Sequence, residues 1–429
     1  MQVSKSKDGY KRVKVGIGKY EEIPETWECV KLSSLCIRSG QYGANVSAKN
    51  EDVKLPRYIR ITDINPDGSL KKRIKSIDKE HAEKYLLEDG DILFARSGSV
   101  GRTYLYDKKD GVCAFAGYLI RFVPNSSFLN PKYLFYFTHS SYYYNWLRKN
   151  YTQVTIQNIN AKQYSNLNII LPTISEQKKI ASIISNVDNT LQKTNQIIEK
   201  MELLKKEMML KLLTKGINHS KFKKVDWYYK KQIEIPKEWE LKTLNELSEL
   251  FVPMRNKPKN LNGSIPWIRI EDFEGKYVSG SKSNQGVDNK TISDMHLKVY
   301  PIGTVLCACS GMSIGNYAIT TSPLISNQTF IGISPNSKLD SEYLYYYMNT
   351  QTRNLKNIST GTTLPYISRE KFETLKIPVP PIIEQKRISS IFIDFDLQIQ
   401  KEKIHKNNIE LLKKGLIEKL LTGQIRVKI

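Results

Sequence analysis

Few residues of this chain are arranged for bond-making chemistry. Pro380-Pro381 comes nearest to the (Asp/Asn)-Pro-Pro-aromatic motif that holds a flipped base for amino-methylation, but Val379 precedes it and Ile382 follows. Gly16-x-Gly18 is too short for a dinucleotide loop, and no Gly-x-x-x-x-Gly-Lys-(Ser/Thr) run is present to cradle phosphates. His81, His139, His219, His296 and His405 show no metal spacing, and Cys29, Cys36, Cys113, Cys307 and Cys309 form no Cys-x-x-Cys unit. Cys307 and Cys309 alternate in an apolar stretch as strand residues do, so reduced, buried thiols in a cytoplasmic protein are expected. Carboxylates far apart in sequence could still converge into a nuclease-type cluster, which keeps a self-sufficient DNA methyltransferase or nuclease as the alternative.

Other residues suit contact with a polyanion. The chain has 66 Lys and Arg against 43 Asp and Glu, a formal charge of +23. That balance favours nucleic acid, with a membrane surface or a diffuse solvated lysine coat as the rival explanations. Arg96-Ser97-Gly98-Ser99-Val100-Gly101-Arg102 follows an apolar run, and its small residues would let backbone approach a phosphate. A later stretch keeps Ser310-Gly311 and Gly315 but carries Cys309 and Asn316 where the arginines stand. The same pattern also fits a plain glycine-rich turn. Thr155, Gln157 and Asn158 align with Thr360, Thr362, Thr363 and Tyr366 in polar, loop-like stretches. Their amides and hydroxyls could contact bases or phosphates, or simply cap loops. Arg38-Ser39-Gly40-Gln41-Tyr42 and Arg255-Asn256-Lys257 form a third pair of candidate loops. Arg60 and Arg269 alternate with isoleucines and suit DNA or a salt bridge equally. Trp27 and Trp239 read as core, and the tyrosine clusters at 142–144 and 345–347 as helix packing.

These alignments exist because the chain is written twice. Ile23-Pro24-Glu25-Thr26-Trp27-Glu28 returns as Ile235-Pro236-Lys237-Glu238-Trp239-Glu240, and Ile59-Arg60-Ile61-Thr62-Asp63 as Ile268-Arg269-Ile270-Glu271-Asp272. Pro172-Thr173-Ile174-Ser175-Glu176-Gln177-Lys178 returns as Pro380-Pro381-Ile382-Ile383-Glu384-Gln385-Lys386, and Leu212-Leu213-Thr214 as Leu420-Leu421-Thr422. The offset, roughly 208 to 213 residues, marks a duplicated domain rather than a solenoid of small repeats. No apolar run is long enough for a spanning helix. Met1 to Lys14 is polar and does not read as a secretory signal.

Each copy opens with a strand-rich segment broken by turns such as Asn65-Pro66-Asp67-Gly68. Asp91–Ala95 and Thr304–Ala308 read as equivalent buried strands, and Tyr133–Phe137 and Tyr343–Tyr347 as equivalent helices. A long helix follows, from about Ser175 to Lys215 in the first copy, with the Thr-x-x-Glu spacing of a capping box at Thr173 and Glu176. Its apolar positions are Ile180, Ile184, Val187, Leu191, Ile198, Met201, Met208 and Leu212. The second copy matches with Ile388, Phe392, Phe395, Ile399, Ile409, Leu416 and Leu420. Thr194, Lys205, Glu402, Lys406 and Lys413 interrupt the seam. The heptad-like spacing predicts a coiled coil. Connectivity makes it antiparallel, because the second head begins just past Gly216. The expected fold is α+β: two tandem, similar, mixed α/β domains separated by two long antiparallel coiled-coil helices with pseudo-twofold symmetry. Boundaries fall at residues 1–172, 173–217, 218–380 (with a short leading linker) and 381–429.

The ordered set, repeated twice over essentially the whole chain, resembles the specificity subunit of Type I restriction–modification enzymes. Gly90-Asp91-Ile92-Leu93-Phe94-Ala95-Arg96-Ser97-Gly98, Ser310-Gly311, Asn327-Gln328 and Thr360-Gly361-Thr362-Thr363 look like that family too, which adds Asn327 and Gln328 to the candidate DNA contacts. The resemblance implies that each head is a target-recognition domain reading half of a split double-stranded DNA sequence. It implies helices that space the heads and dock two methyltransferase (modification) subunits, with restriction subunits completing the complex. S-adenosylmethionine and ATP would then belong to those partners, and this chain would bind no cofactor or metal, catalyse nothing itself and work in the cytoplasm.

Overall fold

The computed structural model describes residues 7–16, 19–150, 158–227, 232–253, 257–360 and 365–429. The chain forms two compact units, residues 1–195 with 404–429, and residues 196–403.

The apolar run after Asp91 becomes a strand buried on both faces. In the first head we name β1 (Cys36–Tyr42), β2 (Ile92–Ala95), β3 (Thr103–Leu105) and β4 (Leu119–Pro124). They form an antiparallel sheet in the order β1-β4-β2-β3. Successive side chains of a strand point to opposite faces. Ile92 and Phe94 therefore enter the core that holds Trp27 and Tyr133, while Leu93 and Ala95 enter a second cluster with Tyr104 and Phe115. The second head repeats this with β5 (Ser248–Phe251), β6 (Val305–Ala308), β7 (Tyr317–Thr320) and β8 (Phe330–Pro335), in the order β5-β8-β6-β7. Val305 and Cys307 face one core and Leu306 and Ala308 the other. The short strand Tyr277–Val278 extends this second sheet beside β7.

The heads differ inside the shared frame. Buried Asp91 lies 2.6 Å from Arg121 of β4. In the second head Thr304 and Gly332 hold the equivalent places, and a Cβ on Gly332 would come within 2.4 Å of the Tyr300 ring. An ion pair in one head is thus an aromatic contact in the other.

The repeated entry and exit motifs meet in space. Glu28–Lys31 pairs with Asn168–Leu171, and Glu240–Thr243 with Lys376–Val379. Trp27 and Trp239 are fully buried, as core residues should be. Trp27 Nε1 donates to Glu176 at 3.1 Å, and Trp239 Nε1 to Glu384 at 2.9 Å. The neighbouring glutamines are used alike. Gln177 Nε2 donates to the Phe128 and Pro172 carbonyls and its Oε1 accepts from Asn130 N. Gln385 does the same with Lys338, Pro380 and Asp340 N. Each Glu-Gln pair therefore fastens the start of a long helix to its own head.

We name the helices α1 (Pro131–Phe137), α2 (Ser141–Asn150), α3 (Ile174–Lys215), α4 (Ser341–Ile358) and α5 (Ile382–Leu421). Where the first head breaks its helix between α1 and α2, the second runs on as the single helix α4. At 42 residues α3 is about 63 Å long. It starts one residue before Ser175, on the reciprocal bonds between Thr173 and Glu176. Gly216 and Gly423 end the two long helices with φ of +68° and +75°, a conformation that suits glycine.

Each unit contains part of both long helices, and within each they run antiparallel. In the first unit Asp188 of α3 pairs with Lys413 of α5. In the second, Lys205 pairs with Asp396 and Glu202 with Lys403. None of the fifteen apolar seam positions read from the sequence is exposed. The helix ends are buried in the heads: Ile417, Leu420 and Leu421 in the first core, Leu213 in the second. The amphipathic pattern forms these helices, and burial of their ends joins them to the heads.

Candidate nucleic-acid interface

The loop after β2 docks on the segment that follows α2. Ser97 bridges Asn158, and the Arg96 carbonyl accepts from Ile159 N at 2.9 Å. The second head repeats the arrangement. Ser310 bridges Tyr366, and the Cys309 carbonyl accepts from Ile367 N at 2.9 Å. Gly311 N donates to the Pro365 carbonyl, and Thr360 and Tyr366 exchange two backbone bonds of 2.9 and 2.8 Å. Two polar segments some 60 residues apart in sequence thus share one ledge in each head. Glycine is required on that ledge. Gly101 and Gly315 have φ of +98° and +94°, and a Cβ there would lie 2.8 Å from Leu147 and 2.3 Å from Thr352.

The first ledge carries a stacked cation. The Arg96 guanidinium lies over the Tyr42 ring at 4.8 Å. Its Nε is buried without a hydrogen-bond partner. Tyr42 Oη accepts from Ala161 N, which ties the end of β1 to the ledge. Gln41 is half-buried and donates to the Lys84 carbonyl. Arg38 is exposed further back along the irregular part of β1. Gly98 projects into open space. Arg102 turns the other way and donates to the Ile64 carbonyl at 2.7 Å, which makes it a tie between loops.

The second ledge is neutral. Asn316 and Thr360 are exposed and Ser310 is half-buried. Asn327 Oδ1 accepts from Thr329 N and thereby caps a turn, while the Gln328 side chain is exposed. Lys257 is exposed. Thr155, Gln157, Arg255, Thr362 and Thr363 lie outside the described residues. Arg60 is held by Asp63 through two bonds of 2.9 Å, and Arg269 donates to Gln285, so both serve local pairs.

Two exposed side chains at these ledges were not singled out from sequence. Met312 is 99% exposed at the tip of the second loop, and Tyr118 is 60% exposed beside Arg96. A large apolar residue inside a glycine-rich loop was the available signal for Met312. Tyr118 gave none, because the pairing of Ala95 with Leu119 and the bond from Arg96 N to the Tyr118 carbonyl bring it there.

Burial pushes the Cys36 and Cys309 thiols up to about 12 and Cys113 to about 11, so none of them is poised as a thiolate. Among the described residues no group of three or more His, Cys, Asp or Glu could hold a metal, and no helix is long and apolar enough to cross a membrane.

The chain matches the Type I restriction modification DNA specificity domain over residues 24–203 and again over 236–411. It is 29% identical to the putative type I restriction enzyme MjaX specificity subunit of Methanocaldococcus jannaschii, over 98% of this chain and 97% of that protein. It is 26% identical to the MjaVIII specificity subunit of the same organism, over 95% and 94%. In fold it resembles the type I restriction–modification S subunit of M. genitalium, with a TM-score of 0.55 and 17% identity over 94% of this chain and 96% of that one. A chain solved in work on assembly and conformational transition of the type I system gives a TM-score of 0.60 at 16% identity, over 94% and 99%. Both matched segments begin at the proline of an Ile-Pro-x-x-Trp motif and run into a long helix, so this chain belongs to the Type I restriction modification DNA specificity family, with both of its copies.

Proposed function

We infer that the chain is the DNA sequence-specificity subunit of a type I restriction–modification complex and that each head reads one half of a bipartite target. The observation that carries this reading is the ledge: the same two loops meet in both heads, yet their side chains differ. A shared frame with divergent loops suits two modules reading different sequences on one duplex. Arg96 stacked on Tyr42 offers a cation to phosphate or to a guanine edge. Asn316, Gln328 and Thr360 offer neutral groups at the second ledge.

The helices are proposed to set the distance between the heads and to dock two modification subunits. Leu203 and Leu210 of α3, seven residues apart, are exposed, as are Ile404 and Leu411 of α5. A second apolar stripe at heptad spacing, outside the seam, suits a partner's helices. S-adenosylmethionine and ATP would be bound by the modification and restriction subunits. This chain would add recognition without chemistry, in the cytoplasm.

A head exchange tests the reading. Replacing residues 245–378 with the matching region of a relative should change one half of the methylated sequence in the assembled complex and leave the other as it was. Changes in both halves, with assembly intact, would overturn the two-head reading.

A further inference from the structure

Lys205 and Lys413 are two of the five polar residues that interrupt the apolar seam, and both find the same kind of partner. In the first unit Lys413 Nζ lies 2.5 Å from Asp188 Oδ1, and Tyr136 Oη donates to Asp188 Oδ2 at 2.9 Å. In the second unit Lys205 pairs with Asp396, and Tyr346 Oη donates to Asp396 Oδ2 at 2.7 Å. Each triad crosses three elements: a head helix (α1 or α4), the long helix leaving that head, and the long helix arriving from the other half of the sequence. The tyrosines are buried, and the lysine side chains keep only 18% and 20% of their surface. Asp188 and Asp396 both stand fourteen residues after the first residue of their helices. In the second unit Lys276 also donates to Tyr346 Oη, at 3.2 Å.

We propose that the two Tyr–Asp–Lys triads are positioning residues for spacer length: they fix the angle at which each head sits on its part of the helix pair. This rests on the bipartite reading above. Apolar contact is non-directional. The Glu–Gln fastenings act at the first turn of the outgoing helix, and Ser141 bonds Glu418 of the incoming helix in the first unit. Beyond these points a head seated on aliphatic side chains can roll. A hydroxyl bonded to a carboxylate that an ammonium holds from the far helix has a direction and a length. One added base pair moves a half-site by about 3.4 Å and turns it by about a tenth of a turn. A head that rolls by a comparable amount accepts neighbouring spacings, and a head that is clamped does not. The aspartate side chains keep 31% and 38% of their surface, and ion pairs this open to solvent contribute only about 0–1 kcal/mol, so stability alone does not account for the triads. An ion pair with a tyrosine hydroxyl, kept in both copies, suits a role in specifying geometry.

The test uses the assembled complex and a duplex library with fixed half-sites and varied spacer. The Y136F/Y346F double variant keeps both rings and loses both hydroxyls. Its preference for the best spacer over spacers one base pair away is expected to fall about tenfold, equivalent to ~1.4 kcal/mol, with the half-site sequences unchanged. The control is Y133F/Y343F. Those hydroxyls donate to the Ile170 and Pro378 carbonyls inside the heads, so their loss should lower Tm without changing spacer preference. D188N/D396N provides a second pair with the same expected broadening. Wild-type spacer preference in a folded, assembled triad variant overturns the proposal. So does equal broadening in the control, or loss of assembly in both triad pairs, which would make the triads structural only. A wild-type complex indifferent to spacer length would instead overturn the bipartite reading itself, and the triad proposal with it.

Discussion

Glu176 has no exposed side-chain surface, yet four donor groups meet its carboxylate: Trp27 Nε1, Thr173 N, Thr173 Oγ1 and the Arg426 guanidinium. Burial opposes the charge, but the hydrogen bonds from Arg426, Trp27 and Thr173 outweigh it and hold the carboxyl below its ordinary value. A carboxyl whose pKa is depressed in the folded state stabilises the fold above its unfolded pKa, about 4.3, and that stability is lost as pH falls through the folded value. The first unit should therefore lose Tm on acidification below about pH 5, and Arg426→Met should move that loss to higher pH. Trp27→Phe keeps an aromatic ring but removes one donor from the buried carboxylate, and should cost about 1–3 kcal/mol at neutral pH. Denaturant titration measures it, and an unchanged midpoint would mean that the indole N–H contributes nothing. Trp27 as core and Thr173–Glu176 as a cap were both legible in the sequence. The bond between Trp27 and Glu176 was not, because 149 residues separate them and only the folded sheet brings them together.

Among the elements, the long helices were the most legible, since a repeating apolar pattern is a local signal that tertiary packing reinforces. Their charged interruptions were legible only as breaks. Lys205 and Lys413 acquire meaning from Asp396 and Asp188 on the facing helix, and register decides which residues face each other. The ledges were half legible. Small and polar residues marked the loops, but nothing local shows that Ser97 meets Asn158 or that Ser310 meets Tyr366. Nor does local sequence separate Arg96, stacked on Tyr42, from Arg102, which holds the Ile64 carbonyl. That difference yields a prediction for the first loop. Arg96→Ala should weaken DNA binding by the assembled complex while costing the fold only the stacking on Tyr42, about 0.5–2 kcal/mol, because its Nε bonds nothing in the protein. A bidentate contact to a base would cost ~1–3 kcal/mol and relax one position of one half-site. A phosphate contact would instead weaken all sequences alike and lower the salt slope by about 1. Arg102→Ala should chiefly lower stability. Equal DNA affinity for wild type and Arg96→Ala would remove this loop from the interface.

At the scale of the molecule, the chain divides between residues 195 and 196 and again between 403 and 404, once within each long helix. Each unit keeps its own head, its own Glu–Trp fastening and its own Tyr–Asp–Lys triad. Residues added at the two dividing points therefore disturb no contact inside either unit. Seven residues inserted near Gln196 and seven near Ile404 preserve the heptad phase. Both helices need the insertion, because lengthening one would leave its new turns unpaired. Two extra turns add about 10.5 Å of helix. At about 3.4 Å per base pair, the preferred gap between half-sites should grow by about three pairs. Three pairs also turn the second half-site by roughly a third of a turn, at about 10.5 pairs per turn. If the heads keep their angles on the helices, that rotation is not followed and methylation falls at every spacer. If they can roll, methylation returns at the longer spacer. The insertion combined with Y136F/Y346F should therefore recover more activity at the longer spacer than the insertion alone. Methylation across a spacer-length library measures both. An inserted, folded and assembled variant that still prefers the original spacer would show that helix length does not set the separation, and would leave the helices as a docking surface only.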